Sequence, residues 1–225
     1  MKRRLFFAVT LLLISILTAC NRQRVIPLPA PEVDGQSIFG VDKNINMDTI
    51  DNYLGRDDVA YIDVRMLFDP AEFSEIGGEA NLTRTIKGFK VVPYPYIATL
   101  AELPVPGAYT EQTLYTVSWN DGTITSITAN YMESDIILDE LFPKDKVIFL
   151  MCGGGGYAGM MKSLLIYLGW DENLLYNIGG NWNYTGENSL ELIIYPEDAK
   201  DNLIYATWRA DYAYIDFSKL QRVDG

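Results

Sequence analysis

Histidine is absent from this 225-residue chain, and cysteine occurs only twice. The first absence excludes a Cys–His dyad, a Ser–His–Asp triad and any histidine-ligated metal site. Positive charge is also scarce: 18 Lys and Arg stand against 30 Asp and Glu, a formal net charge of −12. Nucleic acid is therefore not an expected partner. The acids are spread along the chain rather than gathered in one run, which is the pattern of a solvated surface. The N-terminal apolar run, residues 5–19, is too short to cross a bilayer.

That run suits the h-region of a signal peptide, because Lys2-Arg3-Arg4 precedes it. It ends Leu17-Thr18-Ala19-Cys20, which resembles the lipobox of bacterial lipoproteins. Processing there would leave Cys20 lipidated as the mature N-terminus, and buried acyl methylenes at about 0.8 kcal/mol each would hold the protein to the membrane. The expectation is a lipid-anchored protein on the extracytoplasmic face. Removing residues 1–19 takes away three positive charges and brings the net charge to −15. It also leaves Cys152 without a partner for an intramolecular disulfide, and one thiol cannot build a cysteine-rich zinc site. Neither a metal nor a cofactor is expected.

Cys152 ends the apolar run Val147-Ile148-Phe149-Leu150-Met151 and opens four consecutive glycines, Gly153 to Gly156. The pattern predicts a strand, an anion-cradling loop and then a helix over about 157–168. Glycines that tolerate positive φ can turn successive N–H groups toward one point, here the sulfur. The helix would aim the positive end of its dipole at the same place. A thiol so placed is expected to ionise more easily and to act as a nucleophile. Buried packing cysteine is the plainer alternative, but packing alone gives no reason for four glycines.

Residues 21–36 carry Pro27, Pro29 and Pro31 among polar residues and read as a tether. A strand is expected near 37–41 and a short helix over 47–54, with Asn46 or Asp48 as its cap. Val59-Ala60-Tyr61-Ile62-Asp63-Val64-Arg65 reads as a buried strand, and Asp69-Pro70-Ala71-Glu72-Phe73 as a helix start. Further strands are expected over 90–93, 146–151 and 174–178, with a helix over 135–142. Strands alternating with helices imply a parallel α/β sheet whose site lies at the strand carboxyl ends. Two β-favouring runs around Asn120-Asp121-Gly122 signal an inserted hairpin, about 113–131. Its Tyr115, Trp119 and Tyr131 are expected to pack on the domain, with a wall near the site as the alternative. Residues 190–225, rich in Tyr205, Trp208, Tyr212, Tyr214 and Phe217, are expected to pack on the core as an extension.

The order of these motifs resembles the rhodanese-like (sulfurtransferase) family. Tyr61-Ile62-Asp63-Val64-Arg65 is similar to its Asp-x-Arg strand, and residues 85–93 to its His-Ile-x-Gly-Ala…Pro segment, with Thr85 in the place of the histidine. Residues 147–157 resemble the strand and active-site loop, and Asn177-Ile178-Gly179-Gly180-Asn181-Trp182 the Gly-Gly…Trp element. The resemblance spans about 38–186. It implies a rhodanese-like open sheet, mainly parallel, with helices on both faces, over a domain of residues 37–189.

It also implies that Cys152 takes sulfane sulfur from a small donor, holds it as a persulfide, and passes it to a thiol or other nucleophilic acceptor. On that reading the amides of Gly153, Gly154, Gly155, Gly156, Tyr157 and Ala158 cradle the anion, while Asp63 and Arg65 are structural, with a neighbour such as Glu72 as partner. Trp182 is expected in the core. Many members carry Arg where this chain has Tyr157, and Ser or Thr where it has Ala158, so thiosulfate is expected to be a poor donor. A phosphate-binding Cys loop needs the closing Arg, so phosphatase and arsenate reductase chemistry are disfavoured. Two other readings stay open: a catalytically silent rhodanese-like binding module, and a redox sensor whose thiol pairs with another protein.

Overall fold

Apolar residues of the central strands divide by parity between two buried clusters, as a sheet covered on both faces requires. In β1 (Val59–Asp63) and β6 (Val147–Cys152), Ile62, Ile148, Leu150 and Cys152 join one cluster, whereas Val59, Phe149 and Met151 join the other. The computed structural model describes residues 26–65, 84–100, 112–191, 211–212 and 215–223. The signal segment, Cys20 and the helix start expected at 69–73 lie outside the described residues.

The fold is α/β, and its main sheet has the order β7-β6-β1-β3-β9, with every neighbouring pair parallel. Its other strands are β3 (Lys90–Val91), β7 (Leu175–Gly180) and β9 (Asp211–Tyr212). From β1 the chain steps to β3 on one side, then returns to β6 on the other side and continues outward to β7. The direction of winding thus reverses between β1 and β6, which places a crevice at their carboxyl ends. A two-stranded antiparallel ribbon joins β2 (Arg84–Ile86) to β8 (Ser189–Glu191).

The described α-helices are α1 (Tyr94–Ile97), α2 (Ser134–Leu141) and α3 (Gly156–Tyr167). All three contribute buried residues to the cluster around Ile62, Leu150 and Cys152; α3 supplies Ala158, Met161, Leu164 and Leu165 at helical spacing. The opposite face is covered by Ile45, Met47, Phe89, Tyr184 and a 3₁₀ turn, Ile50–Tyr53. Among the described residues, α-helices cover one face, and the helix start expected at 69–73 lies outside them. The helix expected over 47–54 shrinks to that turn, because Asn46 and Thr49 bond the local backbone in a tight turn before it.

Residues 37–41 form turns rather than the expected strand. The Ser37 hydroxyl accepts from the N–H groups of Phe39 and Val41, which removes the donors a ladder would use. The expected tether is also shorter than its prolines imply. From Ile26 the chain lies against the domain, with Arg56 donating to the Ile26 carbonyl, Tyr176 to the Pro29 carbonyl and the Glu32 N–H to Asp42.

The hairpin forms as expected from β4 (Tyr115–Asn120) and β5 (Thr123–Ala129), and its two-residue turn has φ of 48° at Asp121 and 73° at Gly122. It packs on its own domain: Tyr115, Val117, Ile124 and Tyr131 are buried in the helix-side cluster. Part of the C-terminal extension also packs there, through Ile215 and Phe217, while β9 extends the sheet beyond β3. Tyr205, Trp208 and Tyr214 lie outside the described residues.

Candidate active site

Cys152 is the last residue of β6, beside the crevice where the winding reverses, and Asp63 ends the neighbouring β1. The Gly155 N–H donates to the Cys152 sulfur at 3.0 Å, and the N–H groups of Gly154 and Ala158 act on it in the same sense. Gly155, the N-cap of α3, has φ +100° and no side chain to cap the helix. The sulfur thus occupies the position where a helix start offers N–H donors.

Ionisation follows a different balance from the expected one. Cys152 is only 3% exposed, and burial pushes its thiol up, against the pull of the Ala158, Gly155 and Gly154 amides; the nearby Asp63 charge pushes the same way as burial. The amide cradle is present, yet desolvation outweighs it. The expectation of an easily ionised thiol is corrected on that ground.

Packing also supplies a reason for the glycines. A β-carbon on Gly153 would sit 2.6 Å from the Trp182 ring, and one on Gly154 3.1 Å from it. Gly156 lies under Phe39, with an added β-carbon at 3.6 Å, and Gly155 lies against Val41 at 3.4 Å. Gly180, paired with Cys152 across β6 and β7, would collide with the Gly153 carbonyl oxygen. The loop is therefore held between Trp182 and the Phe39–Val41 turn; packing calls for glycine at 153 and 154 and a φ of +100° calls for it at 155, whereas Gly156 has room for a β-carbon. Trp182 itself is 49% exposed, so it covers the loop rather than entering the core as expected.

A register shift brings Gly180 opposite Cys152. Leu150 pairs with Asn177 but Met151 with Gly179, so Ile178 is the extra residue of a bulge, and Gly179 has φ +94°. The buried Asn177 side chain spans this bulge, accepting from the Gly179 N–H at 3.0 Å and donating to the carbonyls of Phe39 at 2.8 Å and Gly155 at 3.2 Å. One side chain thus ties the cover, the loop and the bulge together.

Asp63 and Arg65 form a buried ion pair at 2.8 Å. Arg65 also donates to Asn181 Oδ1 at 2.8 Å and to the Arg84 carbonyl, and the Thr85 hydroxyl donates to Asp63 at 3.2 Å. Burial pushes the Asp63 carboxyl up, while the Arg65 guanidinium and backbone N–H and the Thr85 hydroxyl pull it back. These contacts join β1, β2 and the segment after β7, and Thr85 takes part in them. Glu72, the partner expected from the sequence, lies outside the described residues.

Tyr157 stacks on Tyr94 with ring centroids 5.7 Å apart and planes 9° from parallel. Burial pushes the Tyr157 phenol up to about 12, with the Cys152 charge adding to it. Ala158 is fully buried, so its amide rather than its side chain serves the sulfur. Cys152, Gly153–Gly156, Tyr157, Ala158, Asp63 and Arg65 are thus brought to one end of the sheet. Sequence reasoning did not single out Phe39, Val41, Tyr94 or Asn177. Only the Pro after Val92 hinted that Tyr94 leaves a strand end.

Among the described residues no group of three His, Cys, Asp or Glu side chains could hold a metal ion, and no helix is long and apolar enough to cross a membrane. Comparison of the chain with protein-family models, curated proteins and solved structures finds no match.

Proposed function

We propose that the chain is a rhodanese-like sulfurtransferase, lipid-anchored through Cys20 on the extracytoplasmic face, that carries sulfane sulfur as a persulfide on Cys152. The observation that carries this reading is the Cys152 sulfur at the carboxyl end of a central parallel strand, receiving the Gly155 N–H at 3.0 Å at the start of α3. In the first step the Cys152 thiolate attacks the sulfane sulfur of a donor. With thiosulfate a new S–S bond forms, the old one breaks, and sulfite leaves with the electron pair. In the second step an acceptor thiolate takes the outer sulfur and Cys152 departs as thiolate. The charge on the persulfide's terminal sulfur falls among the loop amides, as an oxyanion does in its hole.

Access and ionisation both require the buried thiol to be uncovered, so the resting loop is a closed form of the carrier. The same burial favours a second reading, a catalytically silent binding module of the same family. Wild type and Cys152→Ser together separate the two: under the sulfurtransferase reading the wild type transfers sulfur and the variant, with the wild-type thermal transition, does not; a folded wild type that transfers none supports the silent module, and retained transfer in the variant overturns the mechanism.

A further inference from the structure

Tyr94 is fully buried, yet among the described residues its hydroxyl has no hydrogen-bond partner. A native structure rarely leaves such a group unmatched without a use for it. Its position relates it to the sulfur through the backbone: the Tyr94 N–H donates to the Val64 carbonyl at 2.9 Å, and the Val64 N–H to the carbonyl of Met151, the residue before Cys152. Its ring lies parallel to that of Tyr157, which directly follows the glycine loop, and both rings pack in the buried cluster that contains Cys152.

We propose that the hydroxyls of Tyr94 and Tyr157 complete the Cys152 cradle as substrate-binding donors and select hydropersulfides and polysulfides over thiosulfate. This rests on Cys152 being the sulfur carrier. Burial holds both phenols in the protonated, donating form throughout the neutral range. The donors that act on the thiol are neutral N–H groups, to which the two phenols would add neutral O–H donors toward the substrate, whereas the Arg65 guanidinium is engaged by Asp63, Asn181 and the Arg84 carbonyl. Neutral donors suit a sulfur chain whose departing group is a thiolate. They compensate poorly for sulfite, which leaves thiosulfate with two negative charges beside the Asp63 carboxylate. With a hydropersulfide the Cys152 thiolate bonds to the terminal sulfur, the donor's S–S bond breaks, and the donor leaves as thiolate.

The test compares the full chain with Tyr94→Phe and Tyr157→Phe, which keep the stacked rings and remove one hydroxyl each. Glutathione hydropersulfide and thiosulfate are the probes, and the readouts are the rate of sulfur gain on Cys152 and the pH midpoint of its alkylation by iodoacetamide. The expected result is faster uptake from the hydropersulfide by the wild type. Each Phe variant then slows that uptake roughly ten- to hundredfold, the scale of one hydrogen bond to a charged group, while the alkylation midpoint of the donor-free thiol, set by burial and the loop amides, stays with the wild type. Wild-type sulfur uptake with unchanged rates in both variants overturns the phenol assignment and leaves the carrier reading standing. A folded wild type that takes sulfur from neither probe overturns both.

Discussion

The Gly153 carbonyl oxygen packs against Gly180 where β6 and β7 end, leaving no room for a β-carbon on Gly180. The same added carbon would lie 2.5 Å from the Gly154 α-carbon. Backbone on one strand thus shapes the loop that holds the sulfur of the next.

Gly180→Ala is therefore expected to destabilise the protein by about 1–3 kcal/mol through overpacking. Gly35→Ala, whose β-carbon meets nothing within 4 Å, is expected to stay within about 0.5 kcal/mol of wild type. Urea unfolding of the two variants measures the difference, and equal midpoints would contradict the steric assignment.

Removal of one member of the Asp63–Arg65 pair strands the other in the interior. Asp63→Ala is expected to cost about 3–5 kcal/mol, because it leaves the Arg65 guanidinium buried without its carboxylate. Chemical denaturation checks this directly; a loss below about 1 kcal/mol would mean that the pair behaves like a surface salt bridge.

Alkaline pH is expected to weaken the fold before acid does so at this site. Cys152, Tyr94 and Tyr157 have folded-state pKa values raised by burial, so the folded state holds protons that the unfolded state releases first. Their contribution is complete below the ordinary thiol and phenol range, begins to fall as the unfolded groups ionise, and is lost as pH rises through the folded values, about 12 for Tyr157. Thermal melts from neutral pH to about 11 are expected to show a falling midpoint, less steep in Tyr157→Phe. A flat profile would mean that these groups titrate alike in both states.

Much of this arrangement was legible because local chemistry dictated it. The run Val147 to Met151 reads as a strand buried on both faces, and Asp121-Gly122 supplies the two positive φ values that a tight hairpin demands. Cys152 and its loop followed from that strand. The covering of the loop did not, because Phe39, Val41 and Trp182 come from segments distant in sequence and carry no periodic signal. Burial of the thiol was illegible for the same reason: helix dipole and glycine amides are local, whereas desolvation depends on everything packed around them. The Asp63–Arg65 pair joins residues two apart in sequence, a local contact that the strand pattern alone does not specify.

Intact-protein mass spectrometry of the full chain after separate incubation with thiosulfate and polysulfide, with Cys152→Ser as control, tests sulfur carriage most directly. The account predicts the gain of one sulfur atom from polysulfide, less from thiosulfate, and none in the variant. A folded wild-type protein that gains sulfur from neither donor would contradict it.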